Sequence, residues 1–184
     1  MIIGLTGSFG AGKGTVVDYL VHAHDYHHFS ASGFITEEIK RRELPVNRDS
    51  MTLVANDLRA AHGPSYIIDS LYARAEAQGG NVIIESLRAV AEVRRIKALG
   101  GLVVGIDADP ALRYERAHAR KSEKDNVSYE KWIAQEQAES NEGDVTKQNI
   151  FGALRESDVI IQNNGTVEDL HQAIDGVLAK TVKR

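Results

Sequence analysis

The sequence predicts a doubly wound α/β domain built on a parallel sheet, and three observations predict it. An apolar run, Met1 to Leu5, enters a glycine-rich turn that opens onto a segment with helical spacing of apolar residues. Two further runs, Asn81-Val82-Ile83-Ile84-Glu85 and Leu102-Val103-Val104-Gly105-Ile106, are apolar without alternation, as strands covered on both faces are. Helical segments alternate with these strands along the chain.

The chain has 184 residues, the size of one α/β domain, and can bury a continuous core without disulfides or metals. A single domain over residues 1–184 is expected. Its 22 Lys and Arg stand against 26 Asp and Glu, and a net charge of -4 argues against a nucleic-acid binder working through bulk electrostatics. With no cysteine, thiolate zinc sites and cysteine nucleophiles are excluded. Met1-Ile2-Ile3-Gly4-Leu5-Thr6-Gly7 lacks a basic leader region and runs straight into the turn, so it reads as a core strand and not as a signal peptide. No apolar run reaches membrane-spanning length, and a cytoplasmic protein with no membrane partner is expected.

The turn is Gly7-Ser8-Phe9-Gly10-Ala11-Gly12-Lys13-Gly14-Thr15. Glycines at 7, 10 and 12 let successive backbone N–H groups converge on one point, where a phosphate chain fits. The helix that follows adds its positive dipole end and unpaired first-turn donors, and Lys13 reaches the outer phosphates. This is the phosphate-binding P-loop arrangement. One departure is plain: Gly14 stands directly after the lysine, where a Ser or Thr is usual, and Thr15 comes next.

The first helix is expected from about Lys13 to His24, with Val16, Val17, Leu20 and Val21 on its apolar stripe. A short strand is read near His27 to Ala31. The histidines at 22, 24, 27 and 28 read as surface or helix-end residues, because His22 and His24 fall on different sides of a helix and no carboxylate pattern completes a metal site. Three helices should follow: one capped by Ser30 or Ser32 and running to about Glu43, one from about Asp49 to Ala61, and one from Pro64 or Ser65 to Gln78. Three consecutive helices exceed what a simple crossover needs and suggest an inserted substrate-covering region.

Beyond the strand ending at Glu85, a helix is expected from about Ala89 to Leu99, and Gly100-Gly101 breaks it. Asp109 and Pro110 start a helix carrying Arg113, Arg116 and Arg120 on one face. A polar segment, 121–126, separates it from a helix near Ser128 to Ser140, which gives a helical hairpin. A helix from about Thr146 to Glu156 precedes a last strand, Asp158 to Gln162, and a final helix runs from about Val167 to Ala179 with Thr166 as its cap. Ligands of open α/β sheets lie beyond the carboxyl ends of the strands, so Glu85, Arg88 and Asp107 should converge with the glycine-rich loop.

The chain resembles the P-loop nucleotide kinases, the adenylate kinase-like and nucleoside monophosphate kinase-like group that is related to dephospho-CoA kinases. The loop, Glu85-Ser86-Leu87-Arg88 and Asp107-Ala108-Asp109-Pro110 carry the resemblance, and the ending Gly12-Lys13-Gly14-Thr15 is similar to the adenylate kinase branch. It implies a three-layer P-loop NTPase fold with a five-stranded parallel sheet, an acceptor-binding helical region at about 32–79 and a lid hairpin at about 113–140. It further implies ATP and Mg2+ as cofactors and a small-molecule phosphate acceptor, a mononucleotide or dephospho-CoA, as partner.

By this resemblance residues 7–15 hold the phosphates of ATP, Asn163 and Gly165 pass its adenine, and Thr15 and Glu85 serve a magnesium ion held mainly by phosphates and water. Lys13, Arg116 and Arg120 act on the transferring group, and Arg88 grips the acceptor phosphate, with Arg41, Arg59 and Glu85 on the acceptor side. Two departures bear on the acceptor. Ser32 to Glu37 lacks the acid and arginine of a usual AMP site, and Phe29-Ser30-Ala31-Ser32 lacks the aspartate with which dephospho-CoA kinases accept a hydroxyl proton. An acceptor that already carries an ionised oxygen has less need of a base, which favours a nucleoside or deoxynucleoside monophosphate. An ATP-binding sensor or partner module with little kinase activity is the further alternative, and the oligomeric state is open.

Overall fold

The computed structural model of the chain describes residues 1–119, 127–138, 143, 144 and 147–181. Five parallel strands form the sheet: β1 (Ile2–Gly7), β2 (Tyr26–Ser30), β3 (Asn81–Leu87), β4 (Leu102–Asp107) and β5 (Val159–Gln162), in the order β2-β3-β1-β4-β5. Helix α1 (Lys13–His24) follows β1, and α2 (Ala31–Arg41), α3 (Arg48–His62) and α4 (Tyr66–Gln78) lie between β2 and β3. Then come α5 (Val90–Ala98), α6 (Pro110–Ala119), α7 (Tyr129–Ala138), α8 (Ile150–Arg155) and α9 (Val167–Thr181).

The unbroken apolar runs have the reason expected of them, since both faces of the sheet are covered. Ile84, Leu87 and Val103 enter a core with Ile35, Ile39, Val54, Ile67 and Ile96 from α2 to α5. Their neighbours Ile83 and Val104 turn the other way, into a core with Val16, Leu20, Leu170 and Ile174 from α1 and α9. Period-two alternation between two cores needs an apolar residue at every position of a central strand.

Strand β2 lies one residue earlier than the sequence suggests. Ser30 accepts a hydrogen bond from the Gly33 N–H at 3.1 Å and so caps α2, which makes Ala31 helical. Strand β3 extends past Glu85 to Leu87 through an irregularity: Leu5 pairs with Glu85 and Thr6 with Leu87, and the extra residue, Ser86, has a φ of 68°. The helix expected from Thr146 begins at Ile150, because the Asn149 side chain accepts from the Gly152 N–H at 2.7 Å and caps it there. Residues 120–126, the tip of the expected hairpin, lie outside the described residues. No described helix is long and apolar enough to cross a membrane.

Candidate active site

The loop after β1 has the backbone its glycines imply. Gly10 has a φ of 73°, and a Cβ there would stand 2.1 Å from the Arg113 carbonyl oxygen. Gly12, at a φ of 102°, is the N-cap of α1, and a Cβ on it would meet the Asn163 side chain at 2.4 Å. No described side chain caps α1, which leaves its first-turn N–H groups at the loop, as an anion-binding helix start requires. Lys13 Nζ donates to the carbonyl oxygens of Gly7 and Ser8, both at 2.8 Å, and the Ser8 hydroxyl oxygen is buried with no hydrogen-bond partner among the described residues. A folded-back lysine and an orphaned hydroxyl in a glycine cradle fit a phosphate chain. Gly14 is exposed and Thr15 half-buried in the first turn of α1.

One wall of the loop is built by β4, α6 and the end of β5. Arg113 is almost fully buried and donates to the Ala108 carbonyl at 2.9 Å, to the Phe9 carbonyl at 3.2 Å and through two nitrogens to the Glu136 carboxylate of α7. Its guanidinium also lies 5.0 Å from the Trp132 ring centroid and 3.5 Å from an Asp107 oxygen. Asn163 donates its side-chain amide to the Ala11 carbonyl at 2.8 Å, supporting the loop from below. Arg116 donates to the carbonyl oxygens of Asn163, at 2.8 Å, and Gly165, at 3.4 Å. The structure therefore brings Arg116 to the segment anticipated for the base, not over the loop itself. Arg120 lies outside the described residues.

The opposite wall is built by the ends of β2 and β3 and the start of α3. Sheet register puts Ser30 beside Glu85, and the Ser30 hydroxyl donates to the carboxylate at 2.6 Å while Ser86 donates to its other oxygen at 2.5 Å. His28 Nε2 stands 3.7 Å away, beyond hydrogen-bond distance. Burial pushes the Glu85 carboxyl up, but His28, Ser30 and Ser86 outweigh it and hold it down at about 2. The carboxylate is thus ionised at neutral pH. Arg88 places its guanidinium carbon 4.8 Å from the centroid of the Phe9 ring, and Arg48, the first residue of α3, places its own at 4.6 Å from the same ring. No cluster of three or more metal-ligating side chains occurs among the described residues, so a magnesium ion would rely on phosphate and water oxygens beside Thr15 or Glu85.

Two anticipated acceptor residues stand elsewhere. Arg59 is buried, with Nε and Nη2 both on one oxygen of Glu92 at 3.0 and 2.8 Å, so its fork is committed inside the protein and is not presented to a ligand. The other Glu92 oxygen accepts from the backbone N–H groups of Arg88, at 2.8 Å, and Ala89, at 3.1 Å. Arg59 is therefore a positioning residue for the backbone of Arg88. Arg41 ends α2, about 15 Å along the helix from its start at the sheet. It is exposed and pairs through two nitrogens with Glu38.

Arg48, Glu92 and Glu136 were not anticipated. Local patterning holds one clue, for Asn47 caps α3 and so brings Arg48 to a helix start.

A five-stranded parallel sheet in this strand order, with a glycine cradle joining its first strand to its first helix, defines a P-loop NTPase fold of the kinase-like kind. The chain belongs to the AAA_18 family, an AAA domain, which matches residues 3–147. It is 27% identical to the UPF0200/UPF0201 protein of Archaeoglobus fulgidus over 155 residues, 81% of this chain and 46% of that protein. With the UPF0200 protein PH1008 of Pyrococcus horikoshii it shares 26% identity over 187 residues, covering 98% of this chain and 97% of its relative. Among solved structures, TT1252 from Thermus thermophilus matches with a TM-score of 0.66 at 21% identity, over 98% of this chain and 97% of that one. The shikimate kinase from Bacteroides thetaiotaomicron matches with a TM-score of 0.62 at 14% identity, over 97% and 98%. At these identities the likeness to solved structures is one of fold.

Proposed function

We propose that the protein is an ATP-dependent kinase that transfers the terminal phosphoryl group to a nucleoside or deoxynucleoside monophosphate, giving ADP and the diphosphate. The observation that carries this reading is Arg88, which stands beside Phe9 of the phosphate loop, where an acceptor phosphate would meet the donor's chain. Phosphoryl transfer asks a protein mainly to align two anions and to spread the developing charge. The loop amides and Lys13 hold the donor phosphates. Arg88 takes the acceptor phosphate in a bidentate fork. Arg116 orders the Asn163–Gly165 segment that carries the base, and Arg120, four residues further along the chain, serves the transferring group. Helices α2 to α4 cover the acceptor, and α6 and α7 belong to the lid. Thr15 and the ionised Glu85 are the chain's own oxygen donors for a magnesium ion, which would supply neutralisation of phosphate charge.

A hydroxyl acceptor, as in dephospho-CoA, has one observation in its favour. Glu85 reaches the end of β2 through Ser30 and so supplies from the next strand the carboxylate that β2 itself lacks. A base held at about 2 is poorly matched to removing a hydroxyl proton near neutral pH, which leaves the phosphate acceptor as the better reading. ADP release measured across mononucleotides, deoxymononucleotides, dephospho-CoA and shikimate decides among them. Stimulation by one or more mononucleotides is expected. Stimulation by dephospho-CoA or shikimate alone reverses the order, and tight ATP binding without stimulation by any of them makes the protein a nucleotide-binding module.

A further inference from the structure

We propose that Asn163 is a positioning residue that aims a phosphate-binding N–H of the glycine-rich loop, and that it thereby couples the base end of the donor site to the phosphate end. This rests on the reading of the loop and the 163–165 segment as one ATP site, and goes beyond it in giving the Asn163 side chain a task.

That side chain is buried, and its amide donates to the Ala11 carbonyl at 2.8 Å. A trans peptide unit is planar, with its C=O and N–H pointing opposite ways. The carbonyl of Ala11 and the N–H of Gly12 belong to one such unit. Drawing the carbonyl toward Asn163 therefore turns the Gly12 N–H away from it, into the cradle. Gly12 is the N-cap of α1, where the loop's donors and the positive helix end meet. The amide lies directly over this glycine, for a Cβ there would come within 2.4 Å of the Asn163 nitrogen. A donor is required at this place, because the Ala11 carbonyl accepts and an aspartate of the same shape would set oxygen against oxygen.

The backbone around Asn163 is fixed to other elements. Its N–H donates to the Asp107 carbonyl at 2.7 Å, and its own carbonyl accepts from Arg116 at 2.8 Å. The Asn164 side chain accepts from the Asp109 N–H at 2.8 Å, and the Gly165 carbonyl accepts from Arg116 at 3.4 Å. Residues 163–165 are thus pinned to the end of β4 and to α6, while the Asn163 amide reaches across to the loop. Arg113 braces the Phe9 carbonyl from α6, so the two loop carbonyls are held from different places. A base seated on the segment restrains Asn163, and a restrained Asn163 leaves the phosphate chain less ordering to impose on the loop. By linkage, the phosphate chain favours the base by the same factor.

The test uses the full chain and divides ATP into two probes, adenosine and magnesium tripolyphosphate. Calorimetry gives the affinity for tripolyphosphate with and without saturating adenosine. In the parent protein adenosine should raise that affinity about five- to tenfold, the low end of couplings between sites. Asn163→Ala should lower tripolyphosphate affinity about tenfold in the absence of adenosine, since it strands the Ala11 carbonyl. It should also reduce the effect of adenosine to less than about twofold. Adenosine alone should lose less than about twofold, because Arg116 and the backbone of Asp107 still hold the segment, whereas a general loosening of the fold would weaken both probes alike. Asn163→Asp, which keeps the shape and loses the donor, should match Asn163→Ala or exceed it. Should Asn163→Ala not fold, the parent protein and Asn163→Asp carry the test.

Tripolyphosphate binding that is indifferent to adenosine and to guanosine in the parent protein overturns the brace, as does a coupling that survives the loss of the amide. The underlying reading fails separately. Coupling by guanosine and not by adenosine keeps the brace and changes the nucleotide. Coupling in a protein whose ADP release no acceptor stimulates keeps the brace and removes the kinase. A parent protein that binds no tripolyphosphate removes the donor site and the brace with it.

Discussion

Two buried arginine–glutamate pairs flank the phosphate loop at different removes, and they do different work with the same chemistry. Arg59 and Glu92 are 2% and 0% exposed, and their pair joins α3 to α5. Arg113 and Glu136 are 4% exposed each, and theirs lies against the loop. Taking such charges out of water costs several kcal/mol per ion, and replacing a buried pair by apolar residues is often neutral or stabilising, so neither pair is explained by stability alone. What each pair holds distinguishes them. Glu92 uses its second oxygen on the backbone of Arg88 and Ala89, while Arg113 uses a further N–H on the carbonyl of Phe9. One pair orients the backbone at Arg88, and the other orients the glycine-rich loop.

The largest expected effects come from breaking these pairs one at a time. Arg59→Ala and Arg113→Ala should each lower unfolding stability by about 3–5 kcal/mol in urea titrations, because each strands a buried carboxylate. Their functional signatures should part. Arg113→Ala should weaken ATP binding by at least about tenfold in calorimetry, as the loss of an ordering hydrogen bond to a charged group predicts. Arg59→Ala should leave ATP binding near its original strength and raise the acceptor KM. Equal losses of ATP affinity in the two variants would erase the distinction.

Glu85 sharpens the comparison, since its carboxylate is held at the same sheet edge by hydroxyls and not by a guanidinium fork. Its pKa falls from 4.5 to about 2 on folding, so the stability it contributes is complete above pH 4.5 and is lost as pH drops from there toward 2. The loss should amount to roughly 3 kcal/mol, and urea unfolding between pH 2 and 6 should show a shallower decline for Glu85→Gln than for the parent protein. Ser30→Ala, which removes both a hydroxyl from that carboxylate and the cap of α2, should cost about 1 kcal/mol in the same titrations at pH 7. Arg41→Ala closes the series. Its pair with Glu38 is an exposed one at the far end of α2, and both the unfolding midpoint and the acceptor KM should stay where they were.

Much of the fold was readable in the chain because its signals are local. The glycines of residues 7–15, the unbroken apolar runs of β1, β3 and β4, and the Asp109-Pro110 start of α6 depend on neighbours within a few positions, and each element lies where those neighbours imply. Boundaries moved where a side chain intervened, as Ser30 does at α2 and Asn149 at α8. The glycine-rich loop of the candidate site was legible for the same reason, since its backbone conformation is encoded in its own residues.

Arg88 was legible by its place just past β3, and it does stand beside the loop. The fate of the other arginines was not, for Arg59, Arg113 and Arg116 look alike as sequence, each a cation near a helix end. Their roles follow from partners far along the chain: Arg59 meets Glu92 across 33 positions, Arg113 meets Phe9 across 104, and Asn163 reaches Ala11 across 152. A guanidinium's job depends on which carboxylate, carbonyl or ring stands within about 3–5 Å of it, and that is decided by how helices settle on the sheet. The sequence by itself determined the sheet, the cradle and the supply of cations. The tertiary structure alone decided which cations are committed to the protein's interior and which gather around Phe9, because side-chain pairing over such separations exists only once the chain has folded.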